Sequence, residues 1–368
     1  MKDIIEKFKK DTGHTLEEKD GRLYYSHSID LGYTEITSLP EGLTVGGYLD
    51  LRGTEITRLP EGLIVGGSLD LRGTKITSLP EGLTVGGYLD LRGTEITRLP
   101  EELIVGGVLD LEGTKITSLP EGLIVGGSLD LRGTKITSLP EGLIVGGALD
   151  LEEVEITSLP KGLIVGEYLY IKGTKIKSLP EGLIVGEFLD IRGTEITSLP
   201  KELTVGGDLF LPDTDITDTS NVKKNAPTLY QWRNNQYVKC DGIFNEVISH
   251  HGNVYKVKDI GKTKEYYLVG DGNGKWAHGD TIEEARKDLL YKISNRDKSK
   301  YEDLTLDSVL SYEEAIECYR VITGACSAGT KGFCENELAK KKDYYSIKEI
   351  ISLTGGKYGN IEFKKFFS

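Results

Sequence analysis

The sequence predicts a solenoid of short stacked repeats, built on a parallel β-sheet and followed by a smaller α+β domain. The first observation is a phrase that returns almost letter for letter every 20 residues through the first half of the chain. The second is that the same apolar positions recur in nearly every copy, and the third is that this rhythm stops after about residue 220. A fixed period between about 20 and 50 residues is typical of solenoids, whose repeats stack into an extended surface.

Each repeat is expected to contribute one short strand. Leu49 and Leu51 flank the polar Asp50, which is the alternation of a half-buried strand. One repeat cannot bury its apolar side chains alone, so at least about three must stack around a shared core. Ten such pairs follow one another in phase: Ile29/Leu31, Leu49/Leu51, Leu69/Leu71, Leu89/Leu91, Leu109/Leu111, Leu129/Leu131, Leu149/Leu151, Leu169/Ile171, Leu189/Ile191 and Leu209/Leu211.

Turn residues separate these strands. Gly46-Gly47 and Gly53 lie at the two ends of the strand, where tight turns favour positive φ. Pro60 fixes φ and lacks a backbone N–H, so the return segment of each repeat is expected to be extended or turn-like. The hydroxyl groups of Thr54 and its equivalents are expected to bond backbone groups within the turn.

The repeated pattern L-x-L-x-x-T-x-I-x-x-L-P-x-x-L resembles the leucine-rich repeat, and in particular its short 20-residue bacterial class. Thr54 and its equivalents replace the usual Asn, and Glu153-Val154 replaces Gly-Thr in the seventh repeat. The resemblance implies a leucine-rich-repeat solenoid with a parallel β-sheet on the concave face and extended or turn segments on the convex side. At roughly 4.8 Å per strand, ten repeats span about 43 Å, a surface sized for a protein rather than a metabolite.

The chain is expected to divide into three parts. Residues 1–28 form an N-terminal cap of a short helix and a strand, because an open solenoid end exposes apolar core and unpaired sheet edges. Residues 29–220 form the ten-repeat solenoid, and residues 221–368 form a C-terminal α+β domain. In that domain the pattern predicts strands over Val238–His250, Asn253–Ile260 and Lys264–Gly270. It also predicts a helix capped by Asp280 or Thr281 and running to about Ser294, and helices over Tyr312–Thr323 and Ser346–Leu353.

Two charged columns are expected on the concave face and are expected to face water. The position between the paired leucines is Asp in most repeats, and the position two residues later is mostly Arg, interrupted by Glu112, Glu152 and Lys172. Stacked like charges repel, so the Arg column is expected to neutralise the Asp column. This face is interpreted either as a solvated surface that keeps the sheet soluble or as a recognition surface for a partner.

The position before the strand varies most and holds Tyr, Ser, Val, Ala, Phe or Asp in different repeats. Aromatic residues cluster in repeats eight to ten, where they form either a binding hot spot or an internal contact with the C-terminal domain. Neutral drift at exposed positions would give the same variation. The residues predicted to contact a partner are Tyr48, Asp50, Arg52, Asp70, Arg72, Tyr88, Asp90, Arg92, Asp130, Arg132, Tyr168, Tyr170, Phe188, Arg192 and Phe210.

Motifs for catalysis are sparse, and no cofactor or metal site is expected. Cys326 lies in a glycine-flanked turn that superficially resembles a nucleophile elbow, but a helix is predicted before it instead of a strand. Cys318, Cys326 and Cys334 are spaced by eight residues, unlike zinc ligands. Some bacterial effectors join similar repeats to a ubiquitin-ligase domain with a Cys-x-Asp motif, which none of the four cysteines matches.

The composition of the chain argues against several classes of partner and location. The net charge of −13 and the isoelectric point near 5.1 argue against nucleic acid. The chain has no apolar run long enough to span a membrane and no secretory signal, so a cytoplasmic location is expected. Four cysteines in a chain of this size do not indicate a disulfide framework.

The leading hypothesis is a non-enzymatic protein-binding module that recognises its partner through the concave face. The C-terminal region is similar to segments that follow such repeats in proteins of bacteriophages and gut bacteria, which implies interference by a phage-encoded protein with a bacterial host protein. One alternative is a modifying enzyme that uses the repeats as substrate adaptor and Cys326 as nucleophile. A second alternative is a structural or oligomerisation module, and the oligomeric state is left open.

Overall fold

A computed structural model describes residues 2–19, 21–211, 216, 218–325, 327–336, 341–355 and 359–368. The chain divides into two compact units. The first contains Met1–Trp232 together with Asp259–Thr263, and the second contains Arg233–Lys258 together with Lys264–Ser368.

The first unit is a solenoid in which each repeat contributes two short strands, to two parallel sheets. The sheet that carries the aspartates, here named the Asp sheet, contains Ile29–Asp30, Leu49–Asp50, Leu69–Asp70, Leu89–Asp90, Leu109–Asp110, Leu129–Asp130, Leu149–Asp150, Tyr168–Tyr170, Phe188–Asp190 and Leu209–Phe210. The other, the Val sheet, contains Glu17–Lys19, Arg22–Tyr25, Leu43–Val45, Ile64–Val65, Thr84–Val85, Ile104–Val105, Ile124–Val125, Ile144–Val145, Ile164–Val165, Ile184–Val185 and Thr204–Val205.

The expectation of a single strand in each repeat is wrong. Leu63 and Val65 are fully buried on either side of the half-buried Ile64, which is the same alternation as in the Leu-Asp-Leu strand. The Gly66-Gly67 pair separates the two strands of the repeat, so each repeat contributes one strand to each of the two sheets. The described part of the Pro-containing return segments is without helix or strand, as predicted.

The stacking keeps a constant register of 20 residues. Leu49 pairs with Leu69 in the Asp sheet, and Val45 pairs with Val65 in the Val sheet. The paired leucines, the isoleucine of the return segment and the valine are almost completely excluded from solvent along the solenoid, and together they form one continuous core. The predicted threonine bond is confirmed, since Thr54 Oγ1 donates to the Leu51 carbonyl at 2.7 Å and its equivalents do the same.

The glycines of the repeat have two different roles. Gly53 adopts the predicted positive φ of 62°, which an L side chain disfavours. Gly46 does not adopt a positive φ, so that expectation is wrong for the glycine pair. Glycine is needed there because a Cβ on Gly66 would lie 2.6 Å from the carbonyl oxygen of Gly46 in the preceding repeat.

Both ends of the solenoid are extended by further structure. Helix α1, Lys2–Thr12, buries Phe8 in the core, and Glu17–Lys19 forms a hairpin with Arg22–Tyr25, which begins the Val sheet. At the other end Lys223 pairs with Thr204. Near the predicted end of the repeats at about residue 220, positions 212–215 and 217 lie outside the described residues.

The chain then returns along the glycine column of the solenoid. The indole nitrogen of Trp232, at the end of the strand Leu229–Trp232, donates to the Ile144 carbonyl at 3.2 Å. Tyr230 donates to the Gly166 carbonyl, and Ile260 lies against Gly66 and Gly86. Side chains on the glycines of this column would occupy the space that Tyr230 and Ile260 fill.

The second unit combines an antiparallel meander with helices. The meander contains Tyr237–Cys240, Ile243–His251, Val254–Lys258, Glu265–Gly270 and Trp276–Gly279, and a second small sheet pairs Val309–Ser311 with Tyr344–Ser346. The helices are α2 (Ile282–Ile293), a 3₁₀ turn (Ser299–Tyr301), α3 (Tyr312–Thr323), α4 (Ser327–Asn336), α5 (Ile347–Leu353) and α6 (Asn360–Phe366).

The predicted strand over Val238–His250 is wrong, because the chain turns within it. Asp241 and Gly242 both adopt positive φ, at 52° and 80°, and form the hairpin between the first two strands of the meander. An Asp-Gly pair between two apolar runs is a strong hairpin signal. The predicted helix starts at Thr281, Ser311 and Ser346 are confirmed, and each of these residues caps its helix in a reciprocal capping box.

Candidate protein-binding face

The candidate site is the outward side of the Asp sheet, here named the Asp–Arg face. Successive side chains of a strand point to opposite sides of its sheet, so Leu49 and Leu51 enter the core while Tyr48, Asp50 and Arg52 point outward. Because the register is 20 residues, the equivalents of these three residues form three columns that cross the strands.

Arginine and aspartate form a continuous lattice across the repeats. Arg72 contacts Asp70 of its own repeat at 2.6 Å and Asp90 of the next repeat at 3.2 Å. Arg92 repeats the pattern, with Asp90 at 2.6 Å and Asp110 at 3.1 Å. The guanidinium groups of Arg52, Arg72, Arg92 and Arg132 therefore each join two repeats, whereas Arg192 contacts only Asp190 of its own repeat. Where arginine is present, the expected neutralisation of the Asp column is confirmed.

The expectation that the Asp column faces water is wrong for several repeats. Asp90 is only 1% exposed, and Asp50 and Asp110 are buried as well, because the arginine side chains lie over the carboxylates. The arginines themselves keep a third or more of their side-chain surface in solvent. The solvent-facing layer of the lattice is thus the guanidinium row.

The ion pairs of the lattice shift the pKa values of the groups that form them. The hydrogen bond from Arg192 holds the pKa of the Asp190 carboxyl below its ordinary value, although burial opposes this. The hydrogen bond to Asp70 raises the pKa of the Arg72 guanidinium further above its already high value. Asp150 differs, since burial raises its pKa and the charge of Asp130 adds to the effect. Its own repeat supplies Glu152 where five other repeats supply arginine.

The lattice changes character where Glu112 replaces arginine. The carboxylate oxygens of Asp110, Glu112 and Asp130 lie within 4.8 Å of one another, a set of oxygen ligands that a divalent cation could use. These groups already have other partners: Asp110 accepts from the Tyr88 hydroxyl at 2.5 Å, and Asp130 and Glu112 pair with Arg132. Burial, and then the bond to Asp110, raises the pKa of Tyr88. We therefore assign no metal to this group.

Four aromatic residues form a patch on the last three repeats of the Asp–Arg face. The rings of Tyr168 and Phe188 stack with their centroids 5.1 Å apart, and those of Phe188 and Phe210 lie 6.2 Å apart. Tyr170 lies 6.1 Å from Tyr168, and the Arg192 guanidinium lies 5.0 Å above the Phe210 ring. Tyr170 and Phe210 are 38% and 40% exposed, so this aromatic patch presents apolar surface to solvent.

The predicted site residues belong to the lattice of the Asp–Arg face or to the aromatic patch, except for Tyr48 and Tyr88, which belong to neither group. Tyr88 lies against Asp110, and Tyr48 stays exposed on the second repeat. The aromatic patch contains Tyr168, Tyr170, Phe188 and Phe210, and the lattice contains Asp50, Arg52, Asp70, Arg72, Asp90, Arg92, Asp130, Arg132 and Arg192.

Several residues of this face were not among the predicted contacts. Glu112 and Glu152 interrupt the arginine column, and Asp110 and Asp150 belong to the same lattice as the aspartates that were predicted to contact a partner. The signal was present in the sequence as a departure from an almost constant column. In a repeat protein such departures mark places where something other than stacking determines the residue.

The proposed cysteine nucleophile cannot be placed, because Cys326 lies outside the described residues. Gly324 before it adopts positive φ, 77°, and ends helix α3. Cys318 is completely buried, and burial raises the pKa of its thiol to about 12, which disfavours the reactive thiolate. Cys240 is buried as well.

Comparisons with known proteins give little beyond the fold. No family model matches the chain, and no curated protein matches it either. Among solved structures the chain is similar to YopM from Yersinia enterocolitica WA-314, with 20% identity over 50% of this chain and 65% of that chain, and with a TM-score of 0.19. The match thus spans a little less than two thirds of YopM, and at this identity and TM-score no residue or partner is transferred from it.

The stacked strands, their constant register and the leucine core make the first unit a parallel-sheet solenoid of 20-residue repeats. Solenoids of stacked repeats are typical protein-binding scaffolds, because the stacked repeats present one extended surface on a rigid core. Within the described residues, none of the helices is long and apolar enough to cross a bilayer.

Proposed function

We propose that this protein is a protein-binding scaffold that contacts its partner through the Asp–Arg face. The observation that carries the proposal is the aromatic patch, in which four rings lie together on the outward side of the Asp sheet and Tyr170 and Phe210 are exposed. Exposed aromatic residues on a rigid element are typical of binding hot spots, because a ring buries a large area and loses little conformational entropy.

The charged return segments offer a weaker binding surface. Glutamate and lysine there pair between neighbouring repeats, as in Lys75 with Glu55 and Lys115 with Glu95, and both partners of each pair are more than half exposed. Such pairs neutralise each other and stay hydrated. The Asp–Arg face differs because it joins half-exposed guanidinium groups to apolar rings on one continuous surface.

The size of the face suits a protein partner. Ten strands at roughly 4.8 Å spacing extend about 43 Å, comparable with the footprint of a standard protein interface. In this proposal the chain acts without catalysis in the cytoplasm of a bacterial cell. From the resemblance that the C-terminal sequence bears to segments of phage and gut-bacterial proteins, we further propose a phage-encoded protein that interferes with a host protein.

Affinity capture from a bacterial lysate tests this function. The full chain is compared with a Tyr170→Ser, Phe210→Ser variant and with a Lys75→Ser, Lys115→Ser control on the return segments. The proposal expects one or a few proteins to be retained by the wild type and the control and to be reduced at least tenfold by the aromatic variant. Equal retention by all three chains, while their melting temperatures stay alike, would contradict it.

A further inference from the structure

Charge is distributed unevenly along the Asp–Arg face. The repeats that directly precede the aromatic patch are more negative than the earlier ones. From Asp50 to Arg92 the two charged columns hold three aspartates and three arginines, so this section is neutral. From Asp110 to Glu152 the same columns hold five carboxylates and only Arg132, a net charge of −4. This acidic section leads directly to the aromatic patch, because Asp150 pairs with Tyr170 in the Asp sheet.

The acidic section departs from what stacking favours. An arginine at position 112 could join Asp110 to Asp130, as Arg92 joins Asp90 to Asp110 at 2.6 and 3.1 Å. Glu112 instead adds a third carboxylate within 4.8 Å of the other two. Glu152 likewise stands where an arginine could pair with Asp150. Residues that break a stabilising pattern at one place in a repeat array are typical of functional sites.

The aromatic patch is influenced by these charges. The pKa of the Tyr170 hydroxyl is raised first by burial and then by the carboxylates of Asp150 and Glu152. Two further carboxylates border the rings, since Glu167 and Glu187 stand where most other repeats have the second glycine of the pair. The charge of Glu187 contributes, after burial, to the raised pKa of Tyr168. Only Lys172 and Arg192 oppose this negative potential in the outward columns of repeats eight and nine.

Resting on the proposed function, we propose that the aromatic patch binds an apolar anchor of a protein segment whose basic residues lie on the adjacent acidic section. Charge complementarity selects lysine or arginine for the acidic section, and the exposed rings of Tyr170 and Phe210 select an aromatic or large aliphatic anchor. The segment runs across the strands, along the axis of the solenoid.

The repeat spacing determines the spacing in the partner. The middle of the acidic section is the sixth repeat and the middle of the aromatic patch is the ninth, so the two lie about 14 Å apart at roughly 4.8 Å per strand. An extended chain advances about 3.3 Å per residue, so basic residues and anchor are separated by about four residues.

Labelled synthetic peptides test this inference on the full-length protein by fluorescence anisotropy. The probe carries three arginines, a two-residue Gly-Ser spacer and two tryptophans, so that the centres of the two groups lie about 4.5 residues apart when extended, and it is made in both chain directions. Comparison peptides replace arginine by glutamate, replace tryptophan by serine, or omit the spacer. One direction of the spaced probe is expected to bind at least tenfold more tightly than each comparison peptide, with affinity falling as salt is raised.

Matched protein variants separate charge recognition from stability. Glu112→Arg, Glu152→Arg extends the arginine lattice, so we expect unchanged or higher melting temperature together with at least a tenfold loss of probe affinity. Glu95→Arg, Glu155→Arg makes the same change in net charge on the return segments and is expected to keep affinity within about twofold.

The two experiments distinguish recognition of a basic segment from the more general proposal that the Asp–Arg face binds a protein. If no spaced probe binds, if the glutamate peptide binds as well, or if both charge variants lose affinity equally, the inference is overturned. Should the Tyr170→Ser, Phe210→Ser variant lose its captured protein while Glu112→Arg, Glu152→Arg retains it, the face is a binding site but basic segments are not its ligand. Loss from both variants, with native melting temperatures, supports both proposals.

Discussion

Arg92 shows how a single side chain contributes to both stacking and surface. Its guanidinium contacts Asp90 and Asp110 in successive repeats and still keeps 38% of the side chain exposed. The adjacency of the two columns was predictable from the sequence, because both follow the 20-residue period. That an arginine reaches the aspartate of the next repeat was not, since this depends on the direction in which the side chain leaves the strand.

Removing one arginine from the middle of the lattice should destabilise the solenoid more than removing one near its end. Arg92→Gln leaves Asp110 without its arginine and Asp90 with only Arg72, and these carboxylates are almost buried. After allowance for the exposure of the guanidinium, we expect a loss of about 1–2 kcal/mol. Arg192→Gln serves as the control, because Asp190 is more exposed and makes a single arginine contact.

Urea unfolding followed by circular dichroism measures both variants. A larger loss for Arg192→Gln than for Arg92→Gln would mean that burial of the aspartates does not set the strength of the lattice.

The seventh repeat contains a residue that the fold disfavours. Glu153 adopts a positive φ of 60° where equivalent repeats have glycine, as at Gly133 with 68°. A non-glycine residue in this region costs about 1 kcal/mol, so Glu153→Gly is expected to raise the unfolding free energy by about 0.5–1 kcal/mol. Gly133→Ala is the reciprocal variant and should lower it by a similar amount. Destabilisation by Glu153→Gly in the same urea assay would show that the glutamate side chain contributes more than its backbone costs.

At the scale of elements, helices were easier to predict than strands. Thr281, Ser311 and Ser346 each precede a glutamate three residues later, and this local signal located three helix starts. The strands of the solenoid are mostly two or three residues long, so their pattern is weak. The second strand of most repeats, as in Leu63-Ile64-Val65, shows no polar alternation in the sequence. The chain's return along the glycine column depends on contacts distant in sequence and left no local pattern.

The hairpin and helix α2 of the second unit are joined by a buried ion pair. The Lys292 ammonium lies 2.7 Å from both carboxylate oxygens of Asp241 and donates to the Trp276 carbonyl at 3.0 Å. Asp241→Asn keeps the size of the side chain and tolerates the positive φ, but it leaves a buried lysine uncompensated. We expect a loss of about 3 kcal/mol in thermal unfolding of the second unit.

Asp280→Asn is the control for this prediction, because Asp280 and its partner Lys264 belong to the same unit and are both exposed. Equal effects of the two substitutions would contradict a special role for the buried pair.

The capping box of helix α5 predicts a pH effect. Bonds from Lys342 and then from Ser346 lower the pKa of the Glu349 carboxyl to about 2. Since the pKa of the folded state lies below the unfolded value of 4.5, the stabilisation is complete above pH 4.5 and is lost as the pH falls towards 2. Carboxyl NMR titration should give a midpoint near 2 that rises in Lys342→Met and stays in Lys348→Met. A native midpoint near 4.5 would show that the box does not hold in solution.

At the scale of the whole molecule, the period of the sequence determined the class of the fold. Twenty-residue periodicity predicts stacking whatever the detailed secondary structure, because only neighbouring repeats can bury the leucines. The recognition surface was less predictable, since outward positions are free of that requirement. Its charged columns were visible in the sequence, whereas the burial of Asp90 and the stacking of Tyr168 on Phe188 follow from three-dimensional packing.

Site-specific photocrosslinking tests the central claim most directly. Benzoylphenylalanine is placed at position 170 or 210 on the aromatic patch, and at position 75 or 115 on the return segments, and each full-length chain is irradiated in a bacterial lysate. A binding face on the Asp sheet predicts a discrete protein adduct from positions 170 and 210 and none from positions 75 and 115. Adducts from positions 75 and 115 alone would contradict it.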